Sequence, residues 1–164
     1  GFDGIMDDTE PASTPDGSWF TEYEQRAGWH LQYLQGIRDR IGTLPFHHAI
    51  PSWYDDSPPL SLDESGTFAT LDIWIAQTVD VMGVMSYRDS AADILPLASG
   101  ELSRGSIWIG LETAPTSEGE HLTFAEEGSE ALNEALSELT NEIGADPNLH
   151  GFMIDAYESW RLLP

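Results

Sequence analysis

Five short apolar, β-rich runs recur along the chain: "GFDGIMDD" at 1–8, "LPFHHAIPSW" at 44–53, "VDVMGVMSY" at 79–87, "SIWIGLE" at 106–112 and "HGFMIDAY" at 150–157. Between them the apolar residues change to helical spacing. Tyr23, Ala27, Leu31, Leu34 and Ile41 make one stripe, on a helix of about residues 18–41 that ends at Gly42. Phe68, Leu71, Trp74, Ile75 and Val79 make a second. Leu132, Ala135, Leu136, Leu139 and Ile143 make the clearest, on a helix expected to start at Thr123, with Glu126 completing a capping box, and to stop at Gly144. Residues 90–105 predict a weaker helix whose length Pro96 limits. The order is βα repeated, closed by a last β. Such alternation with short connections predicts a parallel α/β sheet with right-handed crossovers.

Two parallel architectures compete, an open doubly wound sheet and a (β/α)8 TIM barrel. No Gly-rich phosphate loop follows any of the strand-like runs, which counts against a nucleotide-binding open sheet. A full barrel needs about 250 residues, and five of its eight units come to about 156. The 164 residues therefore read as one partial barrel domain, strands 4 to 8, with the first three units missing. A five-stranded parallel piece has two open edges, so self-association or a need for the missing units is expected.

Acidity is general in this chain and must be weighed before any single carboxylate is singled out. There are 29 Asp and Glu against 6 basic residues, all of them Arg, for a formal charge of -23. The lack of Lys beside so much acid resembles the surfaces of proteins from salt-loving microbes. Nucleic acid and anionic membrane surfaces are poor partner candidates for this charge. No stretch approaches the roughly 20 apolar residues of a membrane span. With no Cys, disulfides and thiolate metal sites are excluded. At 40% apolar residues, with aromatics included, the chain can build a real core.

Strand parity picks out particular acids from this background. Side chains alternate along a strand, so Met6, Asp8 and Glu10 share one face and Asp7 points away. Gly83, Met85 and Tyr87 share a face, as do Trp108, Gly110 and Glu112, and Gly151, Met153, Asp155 and Tyr157. Each run thus carries small or apolar residues early and a polar group at its C-terminal end. That end is where parallel α/β proteins build their sites. The chemistry that fits is carboxylate acid/base work on a glycosidic bond, with one carboxylic acid protonating the leaving oxygen. An Asp8/Glu10 pair suits a proton donor, because neighbouring acids raise one another's pKa.

"DGIMDDTE" is similar to the fourth-strand signature of family 18 glycoside hydrolases, the chitinases and their relatives, which reads D-G-x-D-x-D-x-E. Asp3, Gly4, Asp8 and Glu10 match, and Met6 stands where the middle Asp is expected. The resemblance implies Glu10 as general acid and Asp8 as the residue that holds the substrate's acetamido group. Met85-Ser86-Tyr87 is similar to the family's sixth-strand M-x-Y, which implies that Tyr87 stabilises the intermediate, although Arg88 departs from the pattern. Gly151-Phe152-Met153-Ile154 echoes the last-strand G-x-M-x-W, with Asp155 in place of the sugar-stacking Trp. The combined pattern looks like a group of bacterial and archaeal barrel proteins related to these hydrolases.

Thr9-Glu10-Pro11 also resembles the Asn-Glu-Pro of clan A retaining glycosidases, which implies Glu10 as acid/base and Glu112 as nucleophile, about 5 Å apart. A third possibility is a barrel that binds carbohydrate without cleaving it. Trp53 is a candidate sugar-stacking residue, and Glu112, Asp155, Arg88 and Tyr157 are candidate substrate contacts. Arg88 and Asp89 form either an ion pair or a substrate contact. His47 and His48 are adjacent on a strand and face opposite sides, so satisfied polar contacts are expected of them rather than a shared metal. No cofactor is expected, and the expected partner is an oligo- or polysaccharide; an extracellular location is the expectation for a polysaccharide hydrolase, although no sequence feature encodes it.

Overall fold

The computed structural model describes residues 3–13, 17–61 and 66–164. Five strands, β1 (Ile5–Asp7), β2 (Phe46–Pro51), β3 (Val81–Met85), β4 (Ile107–Glu112) and β5 (Leu149–Asp155), lie in one sheet in chain order. The protein is α/β with an all-parallel sheet. Its helices are α1 (Ser18–Thr21), α2 (Tyr23–Ile41), α3 (Leu71–Ala76), α4 (Ala91–Leu102), α5 (Gly128–Ile143) and α6 (Tyr157–Trp160). Every one of the five β-rich runs contains a strand. Phe2, in the first of them, lies outside the described residues. The chain divides into two compact units, Gly1–Met82 and Gly83–Pro164.

In the first unit, α2 turns Ala27, His30 and Leu34 inward, a helical spacing of three and four residues. The buried side chains here include Trp19, Phe46, Ile50, Tyr54, Leu71 and Ile75. The expected single helix over 18–41 is two helices, because Glu22 leaves helical geometry at φ -124° and ψ 32°. The bend lets Trp19 stack on Tyr54 at 5.9 Å while meeting Tyr23 edge-on at 5.7 Å. Gly42 ends α2 with φ 63°, as its sequence position predicts. Arg38 then ties the helix end to the sheet. Its guanidinium donates to the carbonyls of Thr78, Gly42 and Leu44 and to Asp80 Oδ2 at 2.7–3.1 Å. The second stripe is shorter than its periodicity predicts. Leu60 and Ala69 pair as an antiparallel bridge just before α3, which leaves Phe68 72% exposed.

In the second unit, the buried residues include Val84, Ile94, Ile107, Ile109, Leu111, Phe124, Leu132 and Leu139. Ser90 caps α4 by exchanging bonds with Asp93, its hydroxyl donating to Oδ2 at 2.7 Å. Pro96 does not limit this helix, which runs through it to Leu102. Pro96 stands on the exposed side of the helix, and burial of Ile94, Ala98 and Leu102 outweighs the lost bond. The helix expected from Thr123 starts at Gly128 instead. Gly128 has φ +83°, which no continuous helix can pass, and the Thr123 hydroxyl accepts from the N–H of Ala125 in a local turn. Strands β4 and β5 pair with Trp108 opposite Gly151, Gly110 opposite Met153 and Glu112 opposite Asp155. A Cβ on Gly151 would stand 3.0 Å from the Trp108 ring, and its φ of +139° also favours glycine.

Candidate functional site

The first unit carries two groups of polar side chains beyond the C-terminal end of β1. That strand ends at Asp7, so Asp8, Thr9 and Glu10 are exposed loop residues, and strand alternation does not by itself fix their directions. Glu10 sets up the turn that follows it. Its carbonyl accepts the N–H of Ser13 at 3.1 Å and its Oε2 accepts the Ser13 hydroxyl at 2.9 Å. Tyr54 is buried nearby. Burial, then Tyr23, then the Glu10 carboxylate push its phenol well above the ordinary value. Trp53, 39% exposed after β2, packs edge-on against Tyr54 at 4.8 Å and lies 6.1 Å from the exposed ring of Phe20. Trp53 therefore borders Tyr54, and the Glu10 charge acts on it.

Asp7 belongs to a second group, between β1, β2 and α2. Parallel pairing sets Asp7 opposite His48, and His48 Nδ1 lies 2.9 Å from Asp7 Oδ2 and 3.1 Å from the Asp7 carbonyl. Both are acceptors, so Nδ1 carries the proton and Nε2 of neutral His48 is a bare acceptor. His30 Nε2 stands 3.0 Å from that atom and donates to it. The hydroxyl of Tyr33 donates to Asp7 Oδ1 at 2.8 Å, and that of Thr9 does so at 3.1 Å. Both imidazoles are buried. Burial first, then the neighbouring His48, lowers His30 to about 4, against the pull of Asp7. Burial lowers His48 as well, with Asp7 opposing it. His30 was missing from the sequence-based site, though it shares a helical face with Ala27 and Leu34. A histidine among apolar positions was the available signal.

In the second unit, the strand register brings together three of the expected residues. Glu112 stands opposite Asp155, and the Tyr87 hydroxyl donates to Asp155 Oδ2 at 3.3 Å. Glu112 Oε1 accepts the N–H groups of Thr113 and Ala114 at 2.7 and 2.6 Å. Burial raises the Glu112 pKa, those two N–H groups pull it down, and the Asp155 charge pushes it up. The net direction is upward. Arg88 turns back to the Tyr87 carbonyl at 2.6 Å. Tyr157 does not share the face of Asp155 through strand alternation, because β5 stops at Asp155 and Tyr157 opens α6. It is 63% exposed and packs edge-on with Trp160 at 6.0 Å.

Among the described residues, no group of three His, Asp or Glu is arranged to hold a metal ion. Among them, too, no helix is long and apolar enough to cross a membrane. No protein-family model matches the chain, and neither a curated protein nor a solved structure matches it.

Proposed function

We propose that the chain is a glycoside hydrolase-like protein of the (β/α)8-barrel type, with Glu10 as general acid and Asp8 assisting. The observation that supports this best is where chemistry-bearing side chains fall. Asp8 and Glu10 follow β1, Trp53 follows β2, Tyr87 and Arg88 follow β3, and Glu112 and Asp155 end β4 and β5. These are the C-terminal ends of parallel strands, where such sheets place their sites. Carboxylates with a nearby exposed tryptophan suit a sugar ring, which presents both hydroxyl groups and an apolar face. Reducing-end release from soluble polysaccharides tests the reading. Glu10→Gln is expected to abolish it without changing the fold, and retained turnover would remove Glu10 from the role.

The second reading is a barrel that binds glycans without cleaving them. Met6 favours it, standing 42% exposed at the place where the resembling family has its middle Asp. Binding to a polysaccharide with no reducing ends released would select it.

A further inference from the structure

The chain His30–His48–Asp7 has no part in the chemistry proposed above, yet burying two imidazoles against a half-buried carboxylate is costly unless every group is paired. Its exposed end points to what it does. Asp7 Oδ1 accepts the hydroxyls of Tyr33 and Thr9, and Asp7 Oδ2 lies 3.4 Å from the backbone nitrogen of Thr9. The Thr9 and Tyr33 hydroxyls are themselves 3.1 Å apart. Thr9 stands between Asp8 and Glu10. Tying its N–H and its hydroxyl to one carboxylate restricts the directions in which both neighbouring acids leave the backbone. Ser13 holds Glu10 from the other side.

Accordingly, we infer that Asp7 is a positioning residue for the loop that carries Asp8 and Glu10, aimed by His48, which His30 orients from behind. This rests on the reading of Glu10 as the acid. The titratable groups that face one another here are Asp7 of β1, His48 of β2, and His30 and Tyr33 of α2. His48 needs its proton on Nδ1 to hold Asp7. The donor bond from His30 Nε2 keeps it there, since a second proton on His48 Nε2 would face that N–H. Side-chain positioning of this kind is worth most when the supporting group cannot rotate, and His48 is fully buried.

Loop order and turnover are read separately. Imidazole nitrogen spectra of the wild type should show His48 protonated at Nδ1 and His30 at Nε2. Exchange of the Thr9 amide with solvent should quicken about tenfold in Asp7→Ala and about threefold in Tyr33→Phe, the scale of one bond to a charged acceptor. Asp7→Asn, which keeps one acceptor oxygen, should fall between wild type and Asp7→Ala. Tyr33 is exposed, so Tyr33→Phe should keep the wild-type denaturation midpoint while kcat drops several-fold at unchanged KM, a split that a purely structural role would not give. Wild-type Thr9 exchange in both Asp7→Ala and Tyr33→Phe overturns the inference whatever the turnover. Quickened exchange with unchanged kcat overturns it too. Should Glu10→Gln keep full activity, Glu10 falls as the acid, and the Thr9 amide still decides whether Asp7 orders the loop.

Discussion

The Nε2 atoms of His30 and His48 stand 3.0 Å apart inside the first unit, a distance at which one shared proton binds and two repel. The folded state holds His30 near 4, far below an ordinary histidine. A histidine whose folded pKa is depressed contributes full stability above its unfolded pKa of about 6.5 and loses it as pH falls toward the folded value. Melting temperature should therefore fall from pH 6.5 to pH 4 in the wild type. His30→Gln, which can still donate to His48, should flatten that fall. Parallel wild-type and His30→Gln slopes in circular dichroism would refute the assignment.

In the second unit the Glu112 carboxyl is raised above its ordinary value, against the N–H groups of Ala114 and Thr113. Burial is the larger cause, and the facing charge adds to it. In carboxyl carbon spectra, Glu112 should titrate above the ordinary glutamate value. Asp155→Asn should move it down, while Tyr87→Phe leaves it raised. An unmoved Glu112 in Asp155→Asn would show that the two carboxyl groups do not interact.

The strands were legible in the sequence because β-rich runs and helical periodicity alternate cleanly, and Gly42 and Gly144 marked helix ends through their missing side chains. Helix starts were less legible. Gly128 adopts φ +83° only in the context of the folded turn, and the bend at Glu22 comes from seating Trp19 among Tyr23 and Tyr54. Strand parity indicated that Glu112 and Asp155 share a face, and the register sets them opposite one another. The Asp7–His48–His30 chain was not legible. It depends on which residue of β2 pairs with Asp7 and on how α2 is rotated over the sheet, and neither is set by local pattern.

Arg38 satisfies three backbone carbonyls and Asp80 at once, and the Arg38 bond, followed by the N–H of Phe46, holds the Asp80 carboxyl below its ordinary value. Arg38→Ala leaves the part-buried carbonyls of Thr78 and Leu44 short of a donor, at a cost of about 2–3 kcal/mol. Urea denaturation should show a lower midpoint with an unchanged slope. A midpoint equal to the wild type would mean water replaces the guanidinium without loss.

Trp53 is exposed and rests on buried Tyr54, so its removal should leave the core intact. Trp53→Ala is expected to weaken glycan binding by about 3- to 10-fold, the worth of one aromatic contact. Calorimetric titration with the polysaccharide that the wild type binds best measures this. Equal affinity in the variant would place the sugar elsewhere.

The most direct measurement is the rate of reducing-end release by wild type, Glu10→Gln and Glu112→Gln on the same polysaccharide at neutral pH. Turnover is expected in the wild type, with a loss of about a hundredfold or more in Glu10→Gln, as for removal of a general acid, and a smaller loss in Glu112→Gln. Undiminished release by Glu10→Gln, with the variant folded, would contradict the assignment of Glu10 as the acid.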